Sequence, residues 1–286
     1  MKISINDVTL NVESFGKGQH TVVAIHGGPD WDHTYLRSAM EPIGTIAKVV
    51  LFDIRGCGLS TAPSSDSGYH MDKIVDDVKA LLFELNIEHG ILLGYSYGGR
   101  VAMRFAQYYG EHLSALILAS TTAYEDFHDE LEEWPEYRKR MTKELQAKLD
   151  EIRHSEELTH AEKALELALI SCSTDVYDEA SIPLVQRALE KMHIQGHWTR
   201  LWLEKKLPKV NHGDYASVLT RLNIPTLIVH GEKDMCFPLS VAHRLYEAVP
   251  HSKLSMLNGA GHLVALEKPE EWARAIIEFM NSTLPQ

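Results

Sequence analysis

Six short runs along the chain are apolar without polar alternation: Thr21–Ile25, Lys48–Phe52, Gly90–Leu93, Ala115–Ala119, Thr226–Val229 and Lys253–Leu257. Strands covered by helices on both faces read this way, whereas a sheet with one wet face alternates. Between the runs the spacing of apolar positions changes. Ile74, Val75, Val78, Leu81, Leu82 and Leu85 recur at helical spacing, as do Trp272, Ile276 and Phe279 near the C-terminus, and Leu239–Val249 reads as a further helix. Strands alternating with amphipathic helices predict an α/β architecture with a mostly parallel, doubly wound sheet. The opening segment Met1–Asp7 reads as a strand leading into a hairpin.

The rhythm stops between about Tyr124 and Asp214. That stretch lacks strand-like runs and predicts helices over Glu136–His154, His160–Ser171 and Pro183–Met192, then a less regular Trp198–Lys206. The expected organisation is one core built from residues 1–123 and 215–286, interrupted by a helical insertion over 124–214. Within it, Glu125 to Glu136 holds seven acidic residues and Arg138 to Arg153 six basic ones. Solvated helix faces with ion pairs along them account for such runs. The functional counterpart is an acidic edge that grips a substrate's ammonium group.

Composition narrows the classes. At 286 residues and 44% hydrophobic, the chain can bury a large core with room for an insertion. A formal net charge of −12 disfavours attraction to nucleic acid or anionic lipid. No apolar run approaches the ~20 residues of a membrane helix, and the first residues lack the apolar core of a signal peptide. Cys57, Cys172 and Cys236 are too few and too dispersed for a disulfide framework. A cytoplasmic location is the default expectation.

Candidate chemistry centres on Gly94-Tyr95-Ser96-Tyr97-Gly98-Gly99, which lies between the apolar run Ile91-Leu92-Leu93 and a helical stretch beginning at Arg100. A strand, a tight turn with serine at its apex and a helix make the Gly-x-Ser-x-Gly nucleophile elbow of a serine hydrolase. Gly94 and Gly98 let the two elements pass close together, and the turn can hold the serine in a strained conformation. A serine hydroxyl is a weak nucleophile at neutral pH and needs a histidine to take its proton and a carboxylate to orient that histidine. In this strand–turn–helix setting the order along the chain is Ser, then Asp or Glu, then His. Asp234 lies just beyond the run ending at Val229, where side chains of a parallel sheet converge; Glu232 is its neighbouring rival, and Glu125 and Asp126 are further alternatives. His262 follows the last run in the loop Asn258-Gly259-Ala260-Gly261-His262. The 28 residues between Asp234 and His262 (262 − 234) suffice for one helix and one strand.

Acyl transfer also builds negative charge on the carbonyl oxygen, which needs donors. One is the backbone N–H of Tyr97, after the serine. The other is expected from His26-Gly27-Gly28-Pro29-Asp30 after the first run. Gly28 can bring its N–H close to a ligand, whereas Pro29 has none to offer.

Taken together, these segments resemble the α/β-hydrolase superfamily over essentially the whole chain. His26-Gly27-Gly28-Pro29 is similar to that family's His-Gly-x-Pro oxyanion loop, in which the bond before proline is often cis. Asp53-Ile54-Arg55-Gly56-Cys57-Gly58-Leu59-Ser60 resembles its Asp-x-Arg-Gly-x-Gly-x-Ser segment, a structural turn near the active site. The resemblance implies Ser96 as nucleophile, Asp234 as acid, His262 as base, Gly28 and Tyr97 as oxyanion donors, and a cap where the 124–214 insertion lies. Haloalkane dehalogenases and epoxide hydrolases of this fold carry Asp at the elbow, so Ser96 argues against both. The His-Gly-Gly-Pro loop also resembles proline iminopeptidases, although their loop usually continues with Gly where this chain has Asp30, and their elbow commonly has Trp where it has Tyr97.

Other features add little. His193 and His197 have a zinc-ligand spacing, but Gly196 weakens a helix there and no Glu follows His193. Gly56-Cys57-Gly58 lacks the rest of a dinucleotide fingerprint. Trp134, Trp198, Trp202 and Phe237 are expected to pack core or cap, with one or two lining a pocket. The expectation is therefore a serine hydrolase free of cofactor and metal, cleaving a small ester, lactone or amide. A proline iminopeptidase-like aminopeptidase is the enzymatic alternative, and a ligand receptor or signalling protein on the same fold is the alternative of another class. Oligomeric state stays open.

Overall fold

The computed structural model describes residues 1–28, 30–210 and 213–285. Eight strands, β1 (Lys2–Ile5), β2 (Val8–Gly16), β3 (Thr21–Ile25), β4 (Lys48–Phe52), β5 (Gly90–Tyr95), β6 (Leu113–Ala119), β7 (Thr226–Gly231) and β8 (Ser252–Leu257), form one sheet in the order β1-β2-β4-β3-β5-β6-β7-β8. The hairpin β1–β2 and the pair β2–β4 are antiparallel; every other pairing is parallel. The register sets Val23 between Val50 and Leu92, and Leu118 beside Ile228.

Period-two alternation divides these strands between two apolar layers. Val23, Ile25, Val50, Phe52, Leu92, Leu116 and Ile228 face a layer shared with the helices Met71–Glu84, Tyr97–Tyr109 and Tyr215–Leu222. Val22, Ala24, Val49, Leu51, Ile91, Leu93 and Val229 face a second layer with the helix Pro269–Thr283. Both faces of β3 to β7 are dry, so those strands carry no polar alternation. The edge strand β8, expected to be covered on both faces, instead exposes Lys253 and Met256, because no further strand pairs with it among the described residues. Each such Leu, Ile or Val contributes roughly 1.5–3 kcal/mol by burial.

The helices follow their sequence signals. In Met71–Glu84, Ile74, Val75, Val78, Leu81 and Leu82 are buried, and the His70 side chain caps the start by accepting from the Asp72 N–H. Pro269 opens the last helix and Trp272, Ile276 and Phe279 are its buried stripe.

Between β6 and β7 the described residues contain helices and no strand. The stretch expected as one helix over Glu136–His154 is two, Pro135–Arg140 and Lys143–His154. Thr142, in an extended conformation, caps the second by accepting from the Leu145 N–H. Arg140 holds the end of the first by donating to the carbonyls of Ser173, Val176 and Tyr177. Those carbonyls end or follow the helix His160–Asp175, which starts at a Thr159/Glu162 capping box and runs one turn past Ser171. His193 and His197 do not share a helix, because Gly196 adopts φ 79° between them and the helix starts only at His197.

Candidate active site

Ser96 sits at the end of β5, with φ 50° and ψ −117°, a conformation that L-residues adopt only under constraint. The constraint is visible. The Ser96 N–H donates to the Ala119 carbonyl, and the Ser96 carbonyl accepts from the Thr121 hydroxyl at 2.7 Å and the Gly99 N–H at 2.9 Å. The strand and helix meeting here leave no room for side chains. A Cβ on Gly94 would lie 2.4 Å from the Gly98 carbonyl oxygen, and one on Gly98 2.2 Å from that of Ile25.

The structure brings three candidates together. Ser96 Oγ lies 3.0 Å from His262 Nε2, and His262 Nδ1 lies 2.9 Å from Asp234 Oδ2. With the carboxylate on Nδ1, that nitrogen carries the proton and Nε2 accepts from the serine hydroxyl. Asp234 is fully buried, and its other oxygen accepts from the N–H groups of Cys236 and Phe237. Burial alone raises its pKa, but the His262 charge and hydrogen bond outweigh that and hold the carboxyl below its ordinary value. Burial lowers the His262 pKa, and the Asp234 charge and hydrogen bond, with Asp175 and Glu267 further out, turn the net shift upward. The rival Glu232 is turned away: it accepts from the Gly259 N–H and pairs with Lys233. Glu125 and Asp126 pair with Arg100 and Arg244.

The glycine loop separates its two glycines. The Gly27 N–H is spent on the Tyr35 hydroxyl at 2.8 Å, whereas the Gly28 N–H, at φ 55°, has no acceptor among the described residues. Tyr97 opens its helix, so its N–H is one of the first four without an intrahelical acceptor. His26 supports the loop: its Nε2 accepts from the Ile54 N–H, leaving Nδ1–H to donate to the Gly27 carbonyl. The cis bond expected before Pro29 lies outside the described residues. Asp30 is buried and its carboxylate accepts from the Trp198 and Thr199 N–H groups at the start of the helix His197–Leu203, tying the loop to that helix.

Asp53 accepts from the His33, Leu59 and Asn11 nitrogens. Burial raises its pKa, but the His33 contacts bring it down to about 2. Arg55 pairs through two nitrogens with buried Asp77. The Asp53–Ser60 segment thus forms a structural turn behind the glycine loop.

Several residues near Ser96 carry no motif. The Asp175 carbonyl accepts from the His262 N–H at 2.7 Å and the Leu263 N–H at 3.2 Å, while its carboxyl receives the Cys236 thiol. The buried Glu267 carboxyl accepts from Gly261 on one side and from Tyr177 and Asp178 on the other. The Tyr95 hydroxyl donates to the His262 carbonyl. Glu267 follows His262 by five residues, yet no periodicity announces what it touches. Among the described residues, the three metal-ligand-type side chains that converge are Asp234, Cys236 and His262, and two of these are already bonded to each other.

Two cavities open at Ser96. One, of about 300 Å³, is lined by Gly28, Ser96, His262 and Asp175 and by Arg153 and Trp202 from the helices between β6 and β7. The other, of about 280 Å³, is lined by Gly28, Tyr97, Trp198 and Phe237. Trp134 packs instead against the small cluster of Phe127, Leu131 and Val241.

The sequence profile of the alpha/beta hydrolase fold matches residues 20–269. The chain belongs to the α/β-hydrolase family. Within it, the AB hydrolase superfamily protein YisY of Bacillus subtilis is 28% identical over 284 residues and 96% of each chain. A proline iminopeptidase of Lactobacillus helveticus is 26% identical over 275 residues, covering 91% of this chain and 89% of that one. The solved structure of an esterase from Thermogutta terrifontis superposes over 100% of both chains with a TM-score of 0.76 at 22% identity. Family membership supports a hydrolase activity, and this α/β hydrolase keeps the partial likeness to proline iminopeptidases that its glycine loop displays.

Proposed function

We propose that this α/β hydrolase is a serine hydrolase that cleaves a small ester, lactone or amide through an acyl-enzyme. The observation that carries the reading is the Ser96–His262–Asp234 chain of 3.0 and 2.9 Å contacts, beside a Gly28 N–H without an acceptor among the described residues. In this mechanism the Ser96 hydroxyl gives its proton to His262 Nε2 as its oxygen adds to the substrate carbonyl carbon. The Gly28 and Tyr97 N–H groups receive the oxyanion. The imidazolium, stabilised by Asp234, then protonates the leaving group as the carbon–heteroatom bond breaks. Water, deprotonated by the same histidine, releases the acid and restores the serine. Residues 124–214 act as a cap that walls the substrate cavities.

Aminopeptidase action is the second reading, favoured by the Asp175 carboxyl in the cavity. The acidic run does not add to it. Glu125, Asp126, Glu130 and Glu136 bind Arg100, Arg244, Ser240 and Arg140, and none of the run lines either cavity at Ser96. The deciding experiment is a panel of p-nitrophenyl esters, lactones and proline-naphthylamide, with Ser96→Ala as blank and a fluorophosphonate probe reporting the nucleophile. Rapid multiple turnover of esters that disappears in Ser96→Ala is expected. Labelling of Ser96 with no turnover on any member would move the reading to a ligand receptor. Efficient cleavage of proline-naphthylamide alone would rank the peptidase first.

A further inference from the structure

Arg153 ends the helix Lys143–His154 and lines the same 300 Å³ cavity as Ser96 and His262. Its guanidinium is only partly engaged. Nη1 donates to Asp150 at 2.8 Å, but that carboxylate is 61% exposed, and such surface pairs contribute little. Nε is buried and has no hydrogen-bond partner among the described residues. The group lies 5.6 Å from the Trp202 ring centroid, another wall of the cavity, which limits how it can turn. Among the described residues lining this cavity the one carboxyl, Asp175, makes no ion pair with Arg153 and is engaged by the Cys236 thiol beside the His262 loop. Arg153, its side chain 34% exposed, thus keeps hydrogen-bond donors that its own neighbours do not use. Between the two ends the walls are apolar: Leu149, Ala164, Leu167 and Ala168.

We propose that Arg153 is a specificity-determining residue and that the substrate carries a carboxylate, away from the bond Ser96 attacks, which the Arg153 guanidinium receives. The substrate class is then a small amphipathic ester or lactone with a free carboxylate, such as a monoester of a short dicarboxylic acid. Guanidinium suits the task, because its planar fork binds carboxylate through two parallel hydrogen bonds while its face rests on an aromatic ring.

The proposal rests on the serine-hydrolase reading, so its test has a turnover arm and a binding arm. Mono-p-nitrophenyl glutarate and p-nitrophenyl butyrate differ by the terminal carboxylate. In wild type the ratio of their kcat/KM values should favour the anionic ester, and Arg153→Gln should lower that ratio roughly 10- to 100-fold, the span of a hydrogen bond to a charged group, mostly through KM. Arg153→Lys should fall between the two, keeping charge without the fork. In the binding arm, calorimetry measures monomethyl glutarate against its uncharged primary amide on Ser96→Ala and on Ser96→Ala/Arg153→Gln. Charge-dependent binding that the second variant loses supports the proposal even if neither ester turns over, which would reject the serine-hydrolase reading alone. An ester ratio unchanged within about 2-fold in Arg153→Gln, or equal binding of acid and amide, overturns it. Arg153→Lys with the wild-type ratio would show that charge alone suffices and still supports the assignment.

Discussion

In the sheet half of the molecule, charged side chains are buried and bonded several times over. Asp234 accepts from His262, Cys236 and Phe237, and Arg55 meets Asp77 through two nitrogens with both side chains 1% exposed or less. In the helical stretch between β6 and β7 many charges lie instead in partly exposed surface pairs: Arg153 with Asp150, Arg200 with Glu204 and Asp66, Arg244 of the core with Asp126. The first pattern holds atoms in one geometry, because a low-dielectric site makes displacement expensive. The second permits rearrangement at little cost. Reaction chemistry needs the former and substrate accommodation the latter. The seam joining the halves is built the first way. Asp30 and Asp32 accept from Trp198, Thr199 and His193, and Glu267 with the Asp175 carbonyl joins residues 175–178 to the His262 loop.

The largest effects should follow changes in the buried half. Ser96→Ala and His262→Ala should each remove roughly 10⁴- to 10⁶-fold of kcat and combine non-additively, because they act as one unit. Losses that multiply in the double variant would break the relay into independent parts. Asp234→Asn should cost about 10⁴-fold by supplying the wrong tautomer, while Glu232→Gln should stay within a few-fold. The reverse ranking would put the acid on Glu232.

Stability should divide the same way. Arg55→Met leaves Asp77 buried without its cation and should cost about 3–5 kcal/mol in urea unfolding. Glu204→Gln, which removes an exposed partner of Arg200, should cost less than about 1 kcal/mol. Equal losses would erase the contrast between the halves.

The seam is tested by pH. In the proposed mechanism His262 is a base only when neutral, and its pKa is shifted upward, so kcat/KM should rise with pH through a midpoint above the usual histidine value near 6.5. Glu267→Gln removes a negative charge that favours the imidazolium, so the midpoint should move to lower pH, with kcat reduced less than about tenfold if the contacts to Gly261 and Tyr177 relax only in part. A lower kcat at an unmoved midpoint would leave Glu267 as a steric support of the seam alone.

The smallest effect belongs to the acidic run. Replacing Glu132 and Glu133 by Gln should leave KM for a neutral ester and for proline-naphthylamide within about 2-fold, as expected of solvated carboxylates. A selective loss on the amine substrate would bring that edge into the binding site.

What could be read in the sequence followed from local periodicity. A strand buried on both faces and a helix with one apolar stripe leave signatures of period two and 3.6 that neighbouring residues carry by themselves, so the six parallel strands and the helices around Ile74 and Trp272 were legible. The break at Thr142 was missed because basic residues on both sides read as one continuous helix, while the cap depends on which way the threonine side chain turns. The candidate residues Ser96 and His262 were legible for a similar reason: an elbow and a glycine-rich loop are short, and their tightness is written in the glycines.

The choice between carboxylates was of another kind. Asp234 and Glu232 are two positions apart, and only the packed loop decides that one reaches His262 Nδ1 while the other is spent on the Gly259 N–H. Gly27 and Gly28 divide in the same manner once the Tyr35 hydroxyl claims the first. By itself, then, the sequence determined the alternation of elements, the place of the helical interruption and the order of the chemical groups, because those depend on neighbours along the chain. The sequence already preferred Asp234 and Gly28; the tertiary structure added the contacts that set Asp234 on His262 and Glu232 on Gly259, and it alone decided which wall residues line the cavities at Ser96. Asp175 and Glu267 meet the His262 loop, and Arg153 meets Trp202, only through folding, and a contact between residues far apart in the chain leaves no local pattern to read.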